Sequence, residues 1–322
     1  MAIYAFECDD QEREYLRSEL ADQELFCSPT ALTTVSQADE IAADAEIILP
    51  FDHSSFTAEM LDHLPNLKLI ATRTTGYDHI DIAAAHAKGI VVCNVPAYGE
   101  NTVAEYAFGL LLTLSRKLVQ AIEETRAGKF SDVGLQGFDL KGRTIGVIGT
   151  GRIGQHTLRM AKGFEMNLLG FDLYPNQKAV DDLGLKYCSL EELLAESDVI
   201  SLHAPGTPEN HHLLNRERLA LCKKGVVVIN TARGDLIDAD ALLEALESGQ
   251  VAAAGLDVLE NERALGRGEI PETIQRLLAM PNVVITPHSA FDTREAIFRI
   301  LTTSVANVRA FQGGEAQNAI KG

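Results

Sequence analysis

Short β-branched and apolar runs alternate along this 322-residue chain with stretches whose apolar positions recur at helical spacing. In the first third, runs at 3–6, 47–49, 69–72 and 90–93 predict strands, with helical patterns such as 9–19 and 82–88 between them. Further strands are predicted at 144–148, 168–171, 199–203, 226–230, 252–257 and 283–286. Strand–helix alternation of this kind predicts parallel sheets with helices on both faces. Neither a short solenoid period nor a low-complexity tract interrupts it.

Two places read as crossings between domains. The stretch Asn94-Val95-Pro96-Ala97-Tyr98-Gly99 is rich in turn formers, and Asn101 or Thr102 is a plausible cap for a long helix predicted at about 103–127. Pro287-His288-Ser289-Ala290 breaks the pattern again before a last helix predicted at about 293–311. The expected architecture is therefore α/β, with two Rossmann-like domains of parallel sheet and a cleft between them. One domain, for substrate, is discontinuous (1–98 with 290–322), and the other (99–289) is a complete dinucleotide-binding unit.

Composition narrows the partners. With 46 acidic and 28 basic residues the formal charge is −18, which repels phosphate backbones and makes nucleic acid an unsuitable partner. The first residues lack a basic segment, and no apolar run reaches the roughly 18 residues that span a bilayer, so neither export nor membrane insertion is expected. Five dispersed cysteines (Cys8, Cys27, Cys93, Cys188, Cys222) without CxxC spacing fit buried thiols in a reducing cytoplasm.

Chemistry enters at Gly149-Thr150-Gly151-Arg152-Ile153-Gly154. A GxGxxG alone is weak, but here a strand precedes it, a helix follows, and Asp172 ends the next strand 18 residues past Gly154. Gly149 makes the tight turn, Gly151 admits the pyrophosphate, and Gly154 lets helix and strand pack closely. Asp172 would accept from both adenosine ribose hydroxyls and repel a 2′-phosphate, and Leu173-Tyr174-Pro175-Asn176 offers no arginine. The expected cofactor is NAD rather than NADP.

Hydride transfer to a keto acid requires a cation for the carboxylate and carbonyl, and an acid for the developing alkoxide. Arg233, after the strand 226–230, has the forked guanidinium that the first task needs. Glu262 and His288 each follow a predicted strand and would form the acid/base pair, the carboxylate favouring the protonated ring. No metal site is expected: HExxH is absent, and adjacent His211 and His212 would diverge on a helix. A GxSxG elbow is absent too.

At this point the chain resembles the D-isomer-specific 2-hydroxyacid dehydrogenase family, in its D-lactate dehydrogenase-like branch. The likeness rests on ordered motifs: Thr75-Gly76-Tyr77-Asp78-His79-Ile80-Asp81, Asn94-Val95-Pro96-Ala97-Tyr98, the glycine turn and Ser201-Leu202-His203-Ala204-Pro205. Asn230-Thr231-Ala232-Arg233-Gly234, Gly255-Leu256-Asp257-Val258-Leu259-Glu260 and Thr286-Pro287-His288-Ser289-Ala290-Phe291 follow. The resemblance implies Arg233 for substrate binding, Glu262 and His288 for acid/base work, and backbone amides of Thr75 and Gly76 as a second grip on the carboxylate. It places Gly149, Gly151, Arg152, Ile153, Gly154, Asp172, Ala204, Pro205, Asn210, Thr231 and Asp257 at the cofactor, Asp257 holding the nicotinamide carboxamide. Tyr98, Phe291 and Phe51 resemble the aromatic positions of lactate-type pockets. The helix after Asn101 resembles one that forms homodimers.

The expected substrate is accordingly a small 2-keto or 2-hydroxy acid, with pyruvate/D-lactate favoured. One departure from the family pattern bears on it: residues 263–269, Arg-Ala-Leu-Gly-Arg-Gly-Glu, stand where many relatives have Glu-Pro. Two alternatives remain open. One is another acid of the same family, such as glycerate, glyoxylate or a larger keto acid. The other is a non-catalytic NAD(H)-sensing protein, which would not need Arg233, Glu262 and His288 together.

Overall fold

Five parallel strands form the first sheet of the computed structural model, which describes residues 1–260, 262–265, 268 and 270–321. They are β1 (Ala2–Ala5), β2 (Glu24–Cys27), β3 (Ala45–Leu49), β4 (Leu69–Ala71) and β5 (Val91–Cys93), in the order β2-β1-β3-β4-β5. The period-two geometry of a strand sends alternate residues to opposite faces. Ile48, Ile70 and Val92 accordingly join one apolar cluster, while Ile47, Leu49, Leu69, Ala71 and Cys93 join another. That second cluster is completed by Leu301, Val305 and Val308 of the helix Arg294–Gln312, which brings the C-terminal segment back onto this sheet.

Seven parallel strands form the second sheet: β6 (Thr144–Ile148), β7 (Asn167–Phe171), β8 (Lys186–Tyr187), β9 (Val199–Leu202), β10 (Val226–Asn230), β11 (Val251–Leu256) and β12 (Val283–Ile285). Their order, β12-β11-β10-β9-β6-β7-β8, reverses direction between β6 and β9. Open α/β sheets bind ligands beyond the carboxyl ends of the strands at such a switch point. Buried side chains again fall into two clusters. Ile148, Ile200, Val228 and Leu256 lie in one, and Val147, Val199, Val227 and Ile229 in the other, under Ala107, Leu110, Leu111 and Leu114 of the helix Glu100–Ser115.

By backbone contacts the chain divides into Met1–Tyr98 with Thr293–Gly322, and Gly99–Asp292. The break therefore falls after Asp292 rather than at 290. The Asp257 carboxylate holds Ser289 and Ala290 in the second unit through their backbone N–H groups, at 3.0 and 2.8 Å, and Asp292 N–H donates back to Ser289 O.

The long helix departs from its prediction at both ends. It begins at Glu100, with Gly99 rather than Asn101 or Thr102 before it, and stops at Ser115. Phe138 N–H takes the Ser115 carbonyl at 2.9 Å, removing an acceptor that a continuing helix would use. Lys117 then adopts a left-handed φ of 49° and a separate helix runs from Leu118 to Arg126.

Candidate active site

The phosphate-binding turn leaves β6 at Gly149, whose φ is +89° and whose added Cβ would lie 2.6 Å from the backbone of His203 and Ala204. Both constraints demand glycine. A Cβ at Gly154 would lie 2.1 Å from Gly149 O, so the helix Arg152–Gly163 packs directly against its own turn. A Cβ at Gly151, by contrast, would meet nothing within 4 Å among the described residues. The turn thus presents open space at the N-terminus of a 12-residue helix, where backbone N–H groups and the helix dipole favour an anion.

Asp172, just past β7, ties this turn together. Its Oδ2 accepts from Thr150 N–H at 2.6 Å and from the Thr150 hydroxyl at 3.0 Å, and its Oδ1 accepts from Tyr174 N–H at 2.9 Å. The Thr150 hydroxyl also meets the Tyr187 hydroxyl at 2.7 Å. Neither Thr150 nor Tyr187 stood out in the sequence; Thr150 occupies a variable position of the glycine motif, and Tyr187 lies in a strand of two residues.

Beyond β9, His203 Nε2 lies between the hydroxyls of Ser201 (2.9 Å) and Thr157 (3.0 Å), while Nδ1 is buried with no hydrogen-bond partner among the described residues. Burial pushes this imidazole down to about 4. Ala204 and Pro205 follow, and Asn210 donates its side-chain amide to Pro205 O at 3.1 Å. His211 and His212 are not on a helix; their rings stack at 3.9 Å, contrary to the expected divergence, and His212 Nε2 reaches Glu260 at 3.0 Å.

The residues expected for acid/base chemistry come from three neighbouring strands, β10, β11 and β12. Past β10, fully buried Asn230 shapes the turn, accepting from Ala232 N–H (3.0 Å) and donating to Arg233 O (2.8 Å). Thr231 Oγ1 is buried with no partner among the described residues, a polar atom suited to a ligand's amide or hydroxyl. Past β11, Glu262 begins the short helix Glu262–Leu265. Past β12, His288 takes a left-handed φ of 52°, its N–H donating to Asp257 O at 2.8 Å. Such a conformation in a non-glycine residue is strained and persists only where its surroundings hold it. Asp257 supplies that hold, its carboxylate also accepting from Thr286 Oγ1 at 2.6 Å.

His288 Nδ1 and Glu262 Oε1 are 2.8 Å apart. Burial pushes the Glu262 carboxyl up, but the hydrogen bond and charge of His288, a backbone hydrogen bond at Leu259 and the charge of Arg233 outweigh it. The net effect is a carboxyl held below the usual range. Phe291 stands edge-on to His288, with ring centroids 6.4 Å apart. Tyr106, whose place in an apolar helical run gives no sign of a polar role, brings its hydroxyl to 3.0 Å from Ser289 Oγ. Of the loop 263–269, Gly266, Arg267 and Glu269 lie outside the described residues.

In the first unit, Thr75 and Gly76 form a turn past β4. Thr74 O accepts from Val95 N–H at 2.9 Å, and Thr75 O accepts from the Asn94 side chain at 2.7 Å. In a trans peptide the N–H points opposite to the C=O, so both the Thr75 and Gly76 N–H groups are turned away from those partners. Tyr98 is anchored through its carbonyl, which accepts from Arg299 Nε. Phe51 follows β3, in a segment held by hydrogen bonds to Glu7.

Comparison with known proteins gives a consistent picture. The family described as D-isomer specific 2-hydroxyacid dehydrogenase, NAD binding domain, matches residues 108–290. Escherichia coli D-lactate dehydrogenase is 43% identical over 282 residues, covering 85% of each chain. An aromatic 2-oxoacid reductase of Clostridium sporogenes is 43% identical over 253 residues, covering 76% of each. Among solved structures, Aquifex aeolicus D-lactate dehydrogenase complexed with NAD and lactic acid superposes with a TM-score of 0.89 at 37% identity, covering 97% of this chain and 96% of that one.

Proposed function

The chain belongs to the D-isomer-specific 2-hydroxyacid dehydrogenase family, an NAD-dependent enzyme of its D-lactate dehydrogenase-like branch, and on that basis we propose that it interconverts pyruvate and D-lactate. The observation that carries the reading is the 2.8 Å pairing of Glu262 with His288, under the influence of the Arg233 charge, at the carboxyl ends of adjacent strands.

The roles follow from the chemistry. Arg233 holds the substrate carboxylate and polarises the keto oxygen, where negative charge develops. His288, paired with the Glu262 carboxylate, delivers its proton to the nascent alkoxide, and takes it back in the oxidative direction. The Thr75 and Gly76 N–H groups give the carboxylate a second, uncharged grip. Bound NAD supplies the hydride acceptor or, reduced, its donor. The open turn at Gly149, Gly151, Arg152, Ile153 and Gly154 fits its pyrophosphate and Asp172 its adenosine ribose; Ala204, Pro205, Asn210, Thr231 and Asp257 line the remainder. Uncharged Phe51, Tyr98 and Phe291 favour a substrate with a small apolar side chain. Similarity to the aromatic 2-oxoacid reductase supports a second reading, in which the side chain is an aromatic ring.

We further propose that two copies associate through the apolar surface that follows the long helix, where Leu118, Val119, Ile122, Phe130 and Val133 are exposed. Five free thiols suit a reducing cytoplasm.

A panel of 2-keto acids assayed with NADH and NADPH tests the substrate. Pyruvate is expected to give the highest kcat/KM, forming D-lactate, with NADPH at least tenfold poorer (about 1.4 kcal/mol). Faster reduction of phenylpyruvate would favour the aromatic reading, and equal use of NADPH would overturn the role of Asp172.

A further inference from the structure

The Glu7 carboxylate, far in sequence from the motifs above, gathers four donors. It accepts from the backbone N–H groups of Phe51 (3.1 Å), His53 (2.9 Å) and Ser54 (3.1 Å), and from the Ser54 hydroxyl (2.5 Å). Three of these donors meet Oε2 and one, the His53 N–H, meets Oε1. What the arrangement does is fix the backbone at residues 51–54.

Glu7 is itself held in an uncomfortable place. Its φ is +57°, in the left-handed region that a side chain disfavours. The hold comes from Arg73, whose Nη2 donates to the carbonyls of Phe6 (2.5 Å) and Glu7 (2.8 Å). Arg73 is wholly buried, and its Nη1 pairs with Glu12 at 2.7 Å. The same residue fixes the other side of the segment. Its backbone N–H donates to Pro50 O at 2.9 Å, and its guanidinium carbon lies 5.2 Å from the centre of the Phe51 ring. One buried cation therefore grips the backbone on each side, and Glu7 clamps the segment that carries Phe51. A strained backbone held in place by a buried cation motivates a hypothesis of function.

We propose that Glu7, backed by Arg73, is a positioning residue that fixes Phe51 and thereby sets how large a 2-keto acid side chain the enzyme accepts. The inference rests on the reading of Phe51 as a wall of the substrate pocket. The mechanism is simple. A carboxamide at position 7 would turn one acceptor oxygen into a donor, which at the Oε1 position would face the backbone N–H of His53. The segment would then loosen, and the wall would yield to larger substrates. Because Phe51 would touch the substrate side chain and not the carbonyl itself, the change belongs mainly in KM.

The test compares pyruvate with phenylpyruvate in the full-length enzyme and in Glu7→Gln, Ser54→Ala, Phe51→Ala and Glu7→Gln/Phe51→Ala. Circular dichroism and NADH fluorescence titration identify variants that fold. Glu7→Gln is expected to shift the preference toward phenylpyruvate by about tenfold, the range a single apolar contact controls. The shift should be carried by KM, with Ser54→Ala moving the same way by less. In the double variant Glu7→Gln should add less than twofold to Phe51→Ala. Should Phe51→Ala leave the preference untouched, the pocket reading fails and the inference with it. If Phe51→Ala shifts it while Glu7→Gln and Ser54→Ala do not, the pocket stands and the clamp is refuted. Equal loss of kcat on both acids in Glu7→Gln would also refute it. Should Glu7→Gln not fold, Ser54→Ala decides the question by the same criterion.

Discussion

Arg233 and Glu262 can be probed by changes smaller than deletion. A lysine at 233 keeps the charge but replaces a planar fork with a point donor. Arg233→Lys is expected to lower kcat/KM for the keto acid roughly 10²- to 10³-fold, the usual cost of losing one donor to a developing oxyanion. NADH affinity, measured by fluorescence titration, should change far less; unaltered turnover would dismiss the assigned role. Glu262 speaks through pH. Its carboxyl is held down by the hydrogen bond and charge of His288, and that coupling is mutual, so the carboxylate favours the protonated ring. Keto-acid reduction needs that proton and should fall as pH rises through the His288 pKa. Glu262→Gln removes the anion, so the fall should come at lower pH in a kcat/KM profile. A profile that stays in place would separate the two residues. These chemical types were legible in the sequence because each follows a strand end. The left-handed backbone of His288 and the Asp257 carboxylate that supports it were not, since both depend on contacts some 30 residues apart, such as Asp257 with Ser289.

Among the strands and helices, the central strands were the most readable. β6 and β10 lie where their apolar runs predicted, Thr144–Ile148 and Val226–Asn230, because both faces are covered and every position is selected for burial. β2 and β8 carry no such signal, for the opposite reason. Each is an edge strand, four and two residues long, carrying polar as well as apolar side chains, and only its neighbour makes it a strand. The glycine turn was legible as a motif, and the structure adds the reason for its rigidity. Gly149→Ala would force a methyl into the backbone at 203–204 and strain a φ of +89°. A loss of about 1–3 kcal/mol in unfolding free energy is expected, together with weaker NADH binding. Denaturant titration and NADH titration would measure both, and a neutral result would mean that the turn is less constrained than its geometry implies.

Seen entire, the chain uses one sheet order in each unit, β2-β1-β3-β4-β5 in the first and a seven-stranded order with a switch point in the second. The first unit needs the C-terminal helix to cover one face of its sheet, which is why it is discontinuous in sequence. No described helix is long and apolar enough to cross a membrane. The exposed apolar side chains from Leu118 to Val133 carry a prediction about assembly. Sedimentation should give the mass of two chains, and Ile122→Asp combined with Phe130→Asp should reduce it to one. A single-chain mass for the unaltered protein would refute the dimer.

Sequence alone determined the alternation of buried strands with helices, the glycine turn followed by Asp172, and the order of the motifs that carry Arg233, Glu262 and His288. All of these depend on local periodicity or on residue types at fixed spacing. Tertiary structure decided what distant segments do to one another: the end of the long helix at Ser115, whose carbonyl Phe138 takes; the capture of Ser289 and Ala290 by Asp257; and the grip of Glu7 and Arg73 on the segment of Phe51. A hydrogen bond across tens of residues leaves no periodic trace in the chain, because either partner alone reads as an ordinary polar residue.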